Sequence, residues 1–158
     1  MTIKPLSAAL FAIVIALATS QAWAAASIGS AAKSKLVPVD YVVGQKAADA
    51  ADYQTAVENL RKAVAANQTS ADTYDLLGYS YRKLGDTDAA FENYQTALRL
   101  NRIHRGADEY LGELHLEMGN VAEAQKLLQA LGKLCTYSCA GYKELREAIA
   151  NYTAAHGG

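Results

Sequence analysis

The chain has almost no net charge. Its 15 Lys and Arg against 16 Asp and Glu leave −1 over 158 residues. Without a basic surplus, neither nucleic acid nor an anionic membrane is an expected partner. Cysteine is nearly absent: there are two, Cys135 and Cys139. Three residues separate them, which is neither the CxxC spacing of a thioredoxin-like redox site nor the CxxCH of haem attachment. Histidine is limited to His104, His115 and His156, and no two have metal-ligand spacing on one helix face. No nucleophile stands beside a base, and there is no Gly-rich phosphate loop or zinc motif. Neither an enzyme nor a cofactor is expected. Carboxylates do pair, as Asp72 and Asp75, Asp108 and Glu109, and Glu113 and Glu117, but at spacings that suit solvated helix faces. No apolar run reaches the roughly 20 residues that span a bilayer.

The longest such run, Leu6 to Ala18, is broken only by Ser7. Lys4 precedes it, and Ala22-Trp23-Ala24 follows with small residues where a signal peptidase reads. Residues 1–24 are therefore expected to be a cleaved signal peptide, a retained anchor being the alternative. Export follows, to the periplasm or, as second reading, out of the cell, with no stable membrane insertion after cleavage. Roughly 130 residues remain, enough for one domain that buries about two-thirds of its unfolded surface. Residues 25–37 are rich in Ala, Ser, Gly and Lys without a helical or strand period. They read as a flexible leader ending at Pro38, although their alanines would also suit a helix.

From Pro38 onward the chain repeats. Gly44, Gly78 and Gly112 stand 34 residues apart, as do Val43, Leu77 and Leu111. Ala56, Ala90 and Ala124 keep that register, and so do Leu60, Tyr94 and Leu128, then Ala63, Ala97 and Leu131. Asp52, Asp86 and Asn120 fall at the turn inside each unit, where a short polar side chain caps the next helix. Ala51, Gly85 and Gly119 precede them as helix stops. Each unit reads as two helices whose small residues allow a close crossing. The best is Tyr74 to Ala97. Asn67, Asn101 and Cys135 mark the unit ends.

This pattern resembles the tetratricopeptide repeat, and more narrowly the small exported bacterial proteins that carry it. The resemblance covers Pro38 to Ser138 and implies an all-α solenoid of three helix-turn-helix repeats, about residues 37–70, 71–104 and 105–138. Asp40 and Asp108 depart from it, standing where Tyr74 places a ring; an acid in a first turn suits the helix dipole. His115 replaces the aromatic at Tyr81 and is expected to be packed. Beyond the repeats, Tyr142, Leu145, Ile149 and Tyr152 form a helical stripe, read as a C-terminal capping helix over 139–152, with 153–158 as a frayed tail.

The family's concave surface is lined by the first helix of each unit. Residues about 100° to 200° round from the crossing face select Tyr41, Gln45 and Ala48, then Asp75, Tyr79 and Arg82, then Glu109, Glu113 and Leu116. The cap adds Lys143 and Glu147. The groove is expected to become acidic toward its C-terminal end. The Lys and Asn clamp that cytosolic chaperone-binding members use for a terminal carboxylate is not matched, since Tyr41, Gln45, Asp75 and Tyr79 stand there. The resemblance implies a non-enzymatic protein- or peptide-binding scaffold or assembly factor. Other readings are a homo-oligomer joined through the open N-terminal face, and a thiol–disulfide or metal-handling protein. For Cys135 and Cys139 in an exported chain, a structural disulfide, a reactive or metal-binding pair and two free thiols all stand open.

Overall fold

The computed structural model describes residues 39–67 and 70–157. The expected signal peptide and leader lie outside them, as do Pro38 and Gln68. Seven helices are described: α1 Val39–Asp49, α2 Tyr53–Ala65, α3 Ala71–Lys83, α4 Thr87–Leu100, α5 Arg105–Glu117, α6 Val121–Cys135 and α7 Ala140–His156. The first six pair as hairpins, α1 with α2, α3 with α4 and α5 with α6, and each pair packs on the next. α3 also touches α1 and α5, and α5 touches α7, so the odd helices lie side by side in one layer.

The 34-residue register is written in the backbone hydrogen bonds. Asp52 N–H bonds Ala47 O, Asp86 N–H bonds Tyr81 O, and Asn120 N–H bonds His115 O, at 2.9, 3.0 and 2.7 Å. Each closes an odd helix just after a left-handed residue: Ala51 at φ 60°, Gly85 at 80° and Gly119 at 78°. The side chains of Asp52 and Asp86 then cap α2 and α4 through Thr55 N–H and Ala89 N–H. Asn120 holds the same place without a side-chain cap bond.

The crossings depend on missing side chains. A Cβ on Gly44 would lie 2.7 Å from Leu60 Cγ, and one on Gly78 2.6 Å from Tyr94 Cδ1. The third crossing differs from the repeat pattern. Gly112 receives Leu145 of α7, with Cδ2 2.5 Å from a Cβ placed there, while Leu128 is only half-buried. α7 is thus bound into the third unit. It also runs to His156, so residues 153–156 are helical and the expected frayed tail is corrected. No breaker precedes Gly157, Thr153 Oγ1 bonds Ile149 O, and the His156 ring stacks on Tyr152 at 4.1 Å.

Two further expectations change. Val43 shares a column with Leu77 and Leu111, yet it is 40% exposed because no helix among the described residues precedes α1. Asp108 is buried rather than solvated, and burial raises its carboxyl to about 6 against the opposing pull of His104. His115 is packed as expected, edge-on to Phe91 at 5.7 Å, with burial lowering its pKa.

Cys135 and Cys139 lie at disulfide distance, with Cα atoms 5.6 Å apart. Between them the chain turns through two consecutive left-handed residues, Thr136 (φ 51°) and Tyr137 (φ 58°). That backbone costs about 1 kcal/mol per non-Gly residue. Tyr137 offsets it by covering Gly132 and meeting Tyr142 edge-on at 5.3 Å. Closing so short a loop contributes about 2 kcal/mol by chain entropy. The Cys135→Ser/Cys139→Ser double variant is therefore expected to melt about 8 °C below the parent. A melting point within a degree of the parent would show that the bridge pins nothing.

Candidate functional site

The exposed faces of the odd helices carry two cavities. The first, about 480 Å³, is lined by Tyr41, Gln45, Ala48, Asp49 and Ala51, by Tyr53, by Asp72, Asp75, Leu76 and Tyr79, and by Tyr110. It brings together five residues expected from sequence, Tyr41, Gln45, Ala48, Asp75 and Tyr79. It adds Tyr53, Tyr110, Asp49 and Asp72, which that reading missed. Tyr53 belongs to α2, and Tyr110 lies off the arc chosen on α5. Tyr79 is the hub of the rings, 5.9 Å from Tyr53 edge-on and 5.2 Å from Tyr110 at a tilt of 47°.

The charge of this cavity is one-sided. Asp49, Asp72 and Asp75 line it, and no Lys or Arg does. His104 stands behind them. Its Nδ1 accepts Ala107 N–H at 3.0 Å, capping α5, which places the ring proton on Nε2, donated to Asp72 Oδ1 at 3.0 Å. The Asp75 side chain is 15% exposed, and its buried Oδ1 has no hydrogen-bond partner among the described residues. Burial raises this carboxyl to about 6; His104 opposes the rise and Asp72 adds to it. The hydroxyl of Tyr41 is also held up, by burial first and then by Asp72, Asp75 and Asp49. Acidity is therefore strong at the N-terminal end of the face, not only at the C-terminal end as expected.

The second cavity, about 510 Å³, is lined by Arg82, Glu113, Leu116, Glu117, Ala148, Tyr152 and His156. Arg82 is not free there. Its Nη1 lies 2.6 Å from Glu113 Oε2 and its Nε 2.8 Å from Glu117 Oε1, joining α3 to α5. Burial works against the guanidinium charge, but the two carboxylates overcome it and raise the pKa. Tyr152 reads in sequence as part of the cap's apolar stripe rather than of the groove, and His156 was missed because the helix was expected to end at residue 152. Lys143 and Glu147 are exposed on α7 and line neither cavity.

Glu109 is buried against the first turn of α7, where a Cβ on Gly141 would overlap its carboxylate. Burial pushes it up to about 8, aided by a hydrogen bond shared with Glu144 and by the charges of Glu144, Glu113 and Asp75. The native state therefore holds a proton that the unfolded chain releases near pH 4.5. This group's destabilisation is absent below that pH and grows as pH rises toward about 8. Solvent screening of this partly open carboxyl leaves a cost of about 2 kcal/mol. Asp75 and Asp108, both near 6, act in the same direction at lower pH. Glu109→Gln is expected to raise Tm by about 5 °C at pH 8 and to change it little at pH 5, as followed by thermal melts. A gain that does not shrink on acidification would contradict this proton assignment.

Residues 81–134 match the family model for the tetratricopeptide repeat. No curated protein matches the sequence. Among solved structures, the first TPR domain of the human RPAP3 protein aligns with a TM-score of 0.65 at 21% identity, covering 74% of this chain and 91% of that one. The second TPR domain of the same human protein, in complex with the HSP70 peptide SGPTIEEVD, gives 0.62 at 18%, over 69% and 91%. The Yersinia enterocolitica type III secretion chaperone SycD, in complex with a peptide of the translocator YopD, gives 0.62 at 18%, over 73% and 88%. At these identities the likeness is one of fold.

Proposed function

We propose that this tetratricopeptide-repeat domain is a non-catalytic docking module that holds a segment of another protein on its concave face. The observation that carries the reading is the first cavity. Three of its four tyrosines and all three of its carboxylates stand on odd helices, no Lys or Arg lines it, and amphipathic rings of this kind are enriched at binding surfaces. Two relatives in fold hold peptides, one from HSP70 and one from a translocator. The segment held here differs in charge from the HSP70 peptide, whose EEVD end would meet Asp49, Asp72 and Asp75. We place the module outside the cytoplasm, as a scaffold or assembly factor of the periplasm, on the strength of the signal-like residues 1–24. Fractionation of cells for a processed product beginning at Ala25 tests that placement. Tyr41→Ala/Tyr79→Ala is expected to fold normally and to weaken partner binding at least tenfold. Unchanged binding to every partner would move the site elsewhere.

A second reading has its own support. Val39 and Val43 are 76% and 40% exposed on α1. A second copy seated there would give a dimer by light scattering that Val39→Glu/Val43→Glu abolishes; a monomer at all concentrations removes the reading.

A further inference from the structure

The first cavity has a composition that selects its ligand. Tyr41, Tyr53, Tyr79 and Tyr110 supply four rings, and Asp49, Asp72 and Asp75 supply three carboxylates with no cation among the lining residues. Aromatic faces attract cations through the ring quadrupole, most strongly where water is excluded. The chain already shows this at the same ring, with Lys83 Nζ 5.3 Å from the Tyr79 centroid. Arg82, the other nearby cation, is taken by Glu113 and Glu117. His104 does not line the cavity, and its two ring nitrogens are engaged by Ala107 N–H and Asp72. No group of three carboxylate, His or Cys side chains among the described residues is arranged to hold a metal ion. A volume of about 480 Å³ lies within the range of small-ligand sites, about 300–1,000 Å³, and exceeds one side chain.

We propose that this cavity is a receptor for a lysine or arginine side chain presented by the docked segment of a partner protein. The inference rests on the docking reading above and names the chemistry it selects. The segment's positive group sits among the tyrosine rings with Asp75 beneath it, and Asp49 and Asp72 favour its approach. A segment ending in Glu or Asp is excluded by like charge, so the preference is opposite to that of a carboxylate clamp.

The test uses the full-length protein and two probes, the capped pentapeptide Gly-Ser-Arg-Ser-Gly and its counterpart with neutral, isosteric citrulline. Titrations are followed by NMR at the tyrosine ring resonances. The arginine peptide is expected to shift Tyr41, Tyr53, Tyr79 and Tyr110 in a saturable manner, and the citrulline peptide to bind at least tenfold more weakly. Asp75→Asn, nearly isosteric and so expected to fold, should lose about tenfold for the arginine peptide only. Glu123→Gln, on exposed α6, should lose nothing and controls for net charge. Raising salt from 50 to 300 mM should weaken the arginine peptide and leave the citrulline peptide unchanged. Equal binding of both peptides at the tyrosines overturns the cation preference while leaving docking intact. An arginine peptide that shifts none of these rings also overturns it, and partner binding that still depends on Tyr41 and Tyr79 would then show that docking itself survives.

Discussion

Replacing Tyr94 with alanine is expected to cost about 4 kcal/mol, a large share of the 5–15 kcal/mol that holds an ordinary domain together. Tyr94 is the largest fully buried side chain among the described residues. Its ring fills the notch at Gly78 and packs with Ala90, Ala97, Ala107, Leu111 and Leu114, so it joins the second unit to the third. The loss is a matter of ring volume rather than of the hydroxyl. That hydroxyl lies near Arg82 and Asp75 but has no hydrogen-bond partner among the described residues, and burial raises its pKa. Tyr94→Phe should therefore fall within about 1 kcal/mol of the parent, on either side. Urea denaturation of the pair separates the two contributions. A costly phenylalanine with a mild alanine would reverse the assignment.

Leu145→Ala is expected to cost about 3 kcal/mol and to act first on α7. Leu145 is fully buried, seated in the notch of Gly112 beside Leu116, Ala124 and Ile149. Shortening it removes the part of α7 that enters the third unit. Hydrogen exchange should speed up along Ala140–His156 more than in α3 or α4. The effect should also couple to Glu109. With α7 loosened, that carboxyl becomes hydrated and releases its proton near the ordinary range, so the benefit of Glu109→Gln at pH 8 should shrink in the double variant. Simple additivity of the two substitutions would show that α7 does not bury Glu109.

The repeat was legible because its columns are close contacts that only small residues permit. Gly44, Gly78 and Gly112 mark crossings, and Asp52 and Asp86 mark caps that do form. What escaped depends on neighbours that a 34-residue column does not contain. Gly112 is filled from the following helix, by Leu145, rather than by its own unit's Leu128. His104 has no partner at ligand spacing in the sequence, and its role as the α5 cap and Asp72 donor follows only once α3 and α5 lie together. On the odd-helix face, helical angle found Tyr41, Gln45, Ala48, Asp75 and Tyr79, which line the first cavity. It could not foresee that Arg82 would be neutralised by two carboxylates more than 30 positions away, or that α7 would cover Glu109. Angle selects a face; the adjoining helix decides whether that face stays free.

The central claim is that the concave face holds a protein segment. The most direct measurement places a photo-crosslinking amino acid at Tyr79 in cells and at Glu123, on exposed α6, as a comparison. Mass spectrometry of the adducts then identifies the residues attached. The account predicts that the Tyr79 probe joins one recurrent segment of one partner, with a Lys or Arg next to the attachment point, and that the Glu123 probe does not. Adducts of equal yield from both positions, or scattered over unrelated sequences, would contradict it.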